Sequence, residues 1–331
     1  MAPQAGSLLT RDVEQLLPGV LRKRYRPLKF VNNEFQIVPN IPDLEAGTPE
    51  VVREVEEEDG PEAVIVADNA ADIPDGQEGI TEDRYRTFCI MYAVSYTMQQ
   101  MRAYEKAGKF DQTLQRKMLK ANRKIEEKDN QMAAFGSKAF NVTGFMNNPG
   151  VTLDNTNTID FAAEATTGKA MYEFVLDRLG TIQDSTDETE NPNNLLIPPK
   201  LMTEWTETTV STNADKSVYQ YLLDNGIASI QTAPECKSAK LEAAGVHTAG
   251  TNKDRIVFYP REMQVGLIDA QATGDIVFEV IERHIEPLQM APEDYHETRK
   301  LKYIAPMFKC VTPTIVNYLD ALFYTDIAQV A

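Results

Sequence analysis

The chain has 331 residues, of which 42% are hydrophobic and 25% charged. That balance is globular and excludes wholesale disorder, collagen-like and coiled-coil fibres, while the length allows two domains at ~100–200 residues each. A formal charge of −17 at pH 7 speaks against a free-standing nucleic-acid binder, which needs a basic footprint.

The charge is unevenly spread. Residues 1–35 carry six bases against three acids, residues 43–83 carry fifteen acids against the single base Arg53, and residues 102–138 carry ten bases against five acids. An acidic block is thus flanked by two basic ones. Within it Val51, Val52 and Val55 punctuate charged residues, Asp59-Gly60 is a hairpin signal and 63–67 is a short apolar run. This pattern predicts an extended two-stranded loop with its second strand at 63–67, then irregular chain through Asp72-Ile73-Pro74 and Asp75-Gly76.

Residues 84–96 alternate Phe88, Ile90, Tyr92, Val94 and Tyr96 on one face, a strand pattern. A short helix over 97–107 is closed by Gly108. Asp111 is the expected N-cap of a long helix running to Phe135, ahead of Gly136. Its apolar residues Leu114, Met118, Ala121, Ile125 and Met132 fall in a stripe ~60° wide at about 100° per residue. Arg116, Lys117, Lys120, Arg123, Lys124 and Lys128 fill an adjacent arc of roughly 140°.

A turn-rich Gly144-Phe145-Met146-Asn147-Asn148-Pro149-Gly150 follows, then an amphipathic helix over 167–181 and a polar loop over 184–194. Leu195-Leu196-Ile197 reads as a buried strand, and Pro198-Pro199 opens a helix with Leu201, Met202 and Trp205 on one face, Trp205 as a core anchor. A helix over 217–225 ends at Gly226. Strands are expected at 227–232, 255–259 and 276–284, with two more within 298–318. Helices and strands mix without regular alternation, which is an α+β pattern.

No reaction suggests itself. His247, His284 and His296 lack metal-ligand spacing, no phosphate-loop, nucleophile-elbow or dinucleotide fingerprint occurs, and Glu56-Glu57-Glu58-Asp59 lacks a calcium-loop pattern. No cofactor is expected. Cys89, Cys236 and Cys310 are far apart with no CxxC, which predicts a reducing compartment, no disulfide framework, and three small buried hydrophobes. Residues 1–10 lack a signal-peptide pattern, and the uncharged run 87–101 is too short and polar to span a bilayer. A soluble protein made in a cytoplasm, with no membrane partner, is expected.

The order of elements carries a resemblance. A basic arm, a long two-stranded loop, a strand, a long helix, the 144–150 turn, a mixed α/β region and a strand-rich C-terminal region follow one another. With Asp59-Gly60-Pro61-Glu62-Ala63, Ala70-Ala71-Asp72-Ile73-Pro74, Gly144-Phe145-Met146-Asn147 and Pro313-Thr314-Ile315-Val316, the chain resembles the major capsid protein of tailed bacteriophages, the Hong Kong 97 fold also used by encapsulins. The resemblance implies an N-terminal arm at 1–42, an extended loop at 43–83, a peripheral domain at 84–166 with a spine helix at 111–135, an axial domain at 167–291, and peripheral return strands at 292–331.

It further implies a non-enzymatic shell subunit that forms hexamers and pentamers around viral double-stranded DNA, in a virion assembled in the host cytoplasm. Implied partners are copies of itself, non-specific packaged DNA, and separate scaffold, portal and cement or decoration proteins. No extension precedes the arm, so the scaffold is expected to be a separate protein. Inter-subunit contacts are expected from Arg22, Lys23, Arg24 and Arg26 and from Val64, Ile65 and Val66. The basic helix arc is expected on the inner surface. Self-crosslinking members of the family use a lysine on the extended loop; residues 43–83 contain none, so that chemistry is not carried over. The alternatives are an encapsulin-type compartment and an acidic α+β enzyme of another family.

Overall fold

The computed structural model describes residues 25–31, 37–57, 79–106, 110–156, 159–161, 163, 166–188, 190–211, 216–260, 262–266, 275–290, 296–297 and 302–330. The Asp59-Gly60 turn, the 63–67 run, and Arg22, Lys23, Arg24, Val64, Ile65 and Val66 lie outside the described residues.

After a two-residue strand β1 (Asn40–Ile41), the chain runs along β2 (Glu50–Glu57) and returns along the antiparallel β3 (Gly79–Arg86), with Glu50 opposite Arg86 and Glu57 opposite Gly79. The expected two-stranded loop is therefore present, but the partner of β2 is 79–86 rather than 63–67. Local spacing suggested a tight turn, whereas the observed register closes a much longer connection.

Thr87 alone separates β3 from β4 (Phe88–Thr97), so the strand expected over 84–96 is broken there. Two helices follow, α1 (Met98–Lys106) and α2 (Phe110–Phe135). Phe110 is already helical, so Asp111 lies inside the first turn instead of capping it. Ala121, Ile125 and Met132 are buried against Ile90 and Val94 of β4 and Met307 and Val311 of a late strand. The narrow apolar stripe thus seats α2 on one face of a sheet.

A second unit is built on β5 (Thr152–Asp154), α3 (Gly168–Ser185), β6 (Asn194–Ile197), α4 (Pro199–Glu207), α5 (Val218–Asp224), β7 (Ser229–Thr232), α6 (Ser238–Ala244) and β8 (Lys253–Tyr259). Local chemistry explains the helix starts: the Thr167 side chain accepts from the Ala170 amide, Ser217 and Gln220 form a capping box, and Pro199 occupies the first turn of α4.

The remaining strands are β9 (Glu262–Gly266), β10 (Asp275–Glu279), β11 (Ile281–His284), β12 (Gln289–Met290), β13 (His296–Glu297), β14 (Lys302–Val311), β15 (Ile315–Val316) and β16 (Phe323–Ala328). The single strand expected over 276–284 is two: β10 pairs with β9, and beyond Val280 the chain enters another sheet as β11, between β1 and β15.

The five-stranded sheet has the order β5-β16-β8-β6-β7, taking strands from 152–154, 194–259 and 323–328. Its strands β16, β8 and β6 are buried on both faces. Leu195, Ile197, Ile256, Phe258, Phe323 and Ile327 face a core with Phe174 and Trp205, while Leu196, Val257, Tyr259 and Tyr324 face a core with Phe145, Met146 and Phe30. Double burial explains the near-continuous apolar runs in β6 and β8. Trp205 is fully buried, as a core anchor should be.

The cysteine expectation needs correction. Cys89 of β4 and Cys310 of β14 sit opposite one another in the antiparallel ladder and are joined as a disulfide. Cys89 is exposed and is no buried hydrophobe. The pair is separated by 221 residues, and strand register alone brings it together. Cys236 is free and buried, and burial pushes its thiol well above the ordinary value.

Candidate assembly surfaces

The hairpin β2–β3 is fastened at its base. Arg53, the one base of the acidic block, pairs with Glu282 of β11 at 2.5 Å and hydrogen-bonds Asn317. The neighbouring His284 lies 2.7 Å from Asp43 through Nδ1 and 3.6 Å from Glu282 through Nε2. Burial alone would raise the Glu282 carboxyl, but His284 and Arg53 outweigh it and hold it below its usual range. The bond to Glu282, opposed by desolvation and helped by Asp43, raises His284. On the other strand, the Thr87 hydroxyl donates to the carbonyls of Thr48 at 2.5 Å and Pro49 at 3.1 Å.

Residues 25–30 dock on α2. Arg123 donates to the Arg26 carbonyl at 2.5 Å and sits over the Tyr25 ring at 5.1 Å. Arg26 itself pairs with Glu235 of the same chain at 3.2 Å. Below it, the Phe30 amide donates to Asn130, whose own amide donates to Glu235.

The six basic residues of α2 therefore divide. Arg123 holds residues 25–26 and meets Glu127 at 3.4 Å, Lys117 donates to the Ser95 carbonyl at 3.1 Å, and Lys124 meets Glu127 at 2.7 Å. Among the described residues Lys128 reaches only Gln131, at 3.4 Å. Arg116 and Lys120 are exposed and have no ion pair among the described residues.

Rigid joints lie behind these surfaces. Gly136 (φ 65°) and Gly144 let the end of α2 and the following turn approach so closely that a Cβ on Gly144 would lie 2.4 Å from the Gly136 nitrogen. The Phe145 and Met146 amides then donate to the last helical carbonyls, those of Ala133 and Ala134. Asp129 receives Arg283 and Lys309, each at 2.6 Å, with Asp129 and Arg283 fully buried. Burial would raise Asp129, but the two cations outweigh it and hold its carboxyl low. In the second unit Arg255 clamps Asp326 at 2.7 Å, donates to the Met146 carbonyl at 2.6 Å and lies beside His247.

The sequence reading missed these charge clusters. One signal was present: Asp129 falls within ~20° of the apolar stripe of α2, where an ionised group needs a buried partner. The identities of Arg283 and Lys309 depend on strand register and left no local mark.

Among the described residues, no helix is long and apolar enough to cross a membrane, and no cluster of three His, Cys, Asp or Glu residues forms a metal-ion site. No curated protein matches the sequence. The fold is that of phage capsids. The structure is similar to the capsid of Myoviridae phage XM1 (TM-score 0.71, 13% identity, 97% of this chain and 99% of that chain). It is also similar to Gordonia phage Cozz (TM-score 0.54, 12% identity, 98% and 97%) and to the capsid of the native GTA particle (TM-score 0.57, 11% identity, 96% and 96%). Residues 61–273, more than half of the chain, match the family model described as major capsid protein. The chain belongs to the major capsid protein family, and its role is that of a structural capsid subunit.

Proposed function

We propose that this chain self-assembles into the hexamers and pentamers of a closed icosahedral bacteriophage shell around double-stranded DNA. The observation that carries the reading is the hairpin β2–β3. Its strands pair only with each other among the described residues, and it is fastened to the body at its base through Arg53. An acidic segment of this length, with one base already engaged, finds its remaining cationic partners on other subunits.

In this reading 1–42 is the arm, 43–83 the extended loop, 84–166 with 292–331 the peripheral domain carrying α2, and 167–291 the axial domain. The loop of one subunit crosses to the arm or peripheral domain of another, with Arg22, Lys23 and Arg24 among its partners. Each exposed ion pair contributes only ~0–1 kcal/mol, so burial of Val64, Ile65 and Val66 supplies much of the hold. Arg116, Lys120 and Lys128, the least engaged members of the basic arc, face packaged DNA and contact phosphate without sequence preference.

Electron microscopy of the purified full chain tests the reading. Closed shells with nuclease-protected DNA, when packaged in a producing host, are expected. A chain that stays monomeric at all concentrations and ionic strengths would sink it.

A further inference from the structure

The ladder between β4 and β14 leaves one edge of β4 unpaired among the described residues. The Cα atoms of Cys89 and Cys310 are 4.0 Å apart, the close spacing of a non-hydrogen-bonded pair. The N–H and C=O groups of Cys89, Met91, Ala93, Ser95 and Thr97 therefore turn away from β14. Two contacts agree: the Ser95 carbonyl accepts from Lys117, and the Thr97 amide donates to Gln100. From Cys89 to Ala93 the outward groups meet no partner among the described residues.

The side chains on that face are apolar too. Met91 is 65% exposed, Cys89 and Ala93 are exposed, and the residues opposite are Cys310, Phe308 and Pro306. Exposed edges are ordinarily blunted by lysine, proline or a bulge. Residues 88–97, Phe-Cys-Ile-Met-Tyr-Ala-Val-Ser-Tyr-Thr, carry no charge and no proline.

We propose that this edge is the docking site for residues 62–68 of a second copy of the chain, added as a further strand beside Cys89, Met91 and Ala93. The inference rests on the reading that the loop of one subunit crosses to another. Within 43–83, residues 63–67 form the longest uncharged run, bounded by Glu62 and Asp68. The receiving edge matches it in having an uncharged middle, with Lys117 beside Ser95 at one end and, at the other, the exposed Arg84 and Arg86 of β3, which also pair with Glu82 and Glu50 of their own hairpin. At ~3.3 Å per residue the run covers ~17 Å, and the outward edge from Cys89 to Ser95 ~20 Å. Main-chain bonds would supply the hold and the apolar face the specificity, as in strand addition generally.

The test places the photo-crosslinking residue p-benzoylphenylalanine at Ile65 in the full-length chain and assembles shells from a mixture of isotope-labelled and unlabelled subunits. The expected product is a cross-link from residue 65 to a peptide containing 88–97 of a different copy. A cross-link to any other surface of a different copy overturns this site and leaves the loop-crossing reading standing. A cross-link within one copy, to another protein, or none at all overturns both. Should that residue block assembly, Met91→Lys gives a second measurement. Its subunit should melt like wild type while the sedimenting shell fraction falls at least about tenfold, the ratio of ~1.4 kcal/mol per contact. Shells at wild-type yield would overturn the proposal.

Discussion

Arg53 and Glu282 form a 2.5 Å ion pair that joins the hairpin β2–β3 to a strand of the body. Glu282 is almost fully buried while Arg53 is about a quarter exposed, so loss of the arginine leaves a buried carboxylate with His284 alone beside it as a cation. Arg53→Ala is expected to destabilise the subunit by ~2 kcal/mol, discounted from fully buried pairs because of that exposure. Amide exchange of β2 and β3 should quicken with it. Unchanged protection there would show that the pair does not hold the hairpin.

The same joint is pH-sensitive. His284 is raised in the folded chain, first by its bond to Glu282 and then by Asp43. Its stabilisation is complete below the unfolded value of ~6.5 and is lost as pH rises through the folded value. Asp129, Glu282 and Asp326 are held low despite burial, so their contributions are present above ~4 and are lost as pH falls. Thermal stability should peak between roughly pH 5 and 6.5. His284→Gln should flatten the alkaline side and, in smaller part, the acid side, because His284 also helps hold Glu282 low. A variant that flattens the acid side instead would contradict the assignment.

Reduction of Cys89–Cys310 should lower the melting temperature of the purified subunit. The disulfide links residues separated by 221 positions, and native disulfides contribute ~2–4 kcal/mol. Reductant should not shift the double variant Cys89→Ser, Cys310→Ser. Three titratable thiols in unreduced, denatured protein would show that the bond is absent.

Asp129 is the anion of a cluster with two cations, and Arg283 is as buried as Asp129 itself. Asp129→Ala should cost about 3–5 kcal/mol by denaturant unfolding, the range for a buried pair that loses one partner. A loss below ~1 kcal/mol would mean that water or rearrangement relieves Arg283.

Gly144→Ala sets a Cβ 2.4 Å from the Gly136 nitrogen, against backbone that cannot swing aside. The turn must move from the end of α2, and a loss of ~2–4 kcal/mol is expected, comparable with overpacking and lost buried hydrogen bonds together. Wild-type stability would show that the turn tolerates a wider separation.

Elements governed by local chemistry were legible in the sequence. The seam of α2, the helix beginning at Ser217, the Pro-initiated α4 with buried Trp205 and the buried strand through 195–197 all write their patterns within a few residues. What was hidden depends on pairing at a distance. β16 went unread because Thr325 and Asp326 interrupt its apolar pattern; Asp326 is satisfied by Arg255 and His247, which are remote in sequence. The break at Val280 divides an apolar run between two sheets, and no residue at that point signals a stop. Cys89 and Cys310 became partners only through the register of β4 on β14.

The order of the five-stranded sheet has a consequence for synthesis. β5 has one neighbour in that sheet, β16, which also flanks β8. Thr152–Asp154 therefore leaves the ribosome long before its partner exists, and everything from 155 to 322 must be translated first. Topologies dominated by such distant pairings fold slowly. Until Phe323–Ala328 arrives, Phe258 and Val257 each lack part of their cover, on opposite faces of the sheet. A growing polypeptide of this kind is an incomplete building block, and shell growth should wait for finished chains rather than begin on polysomes.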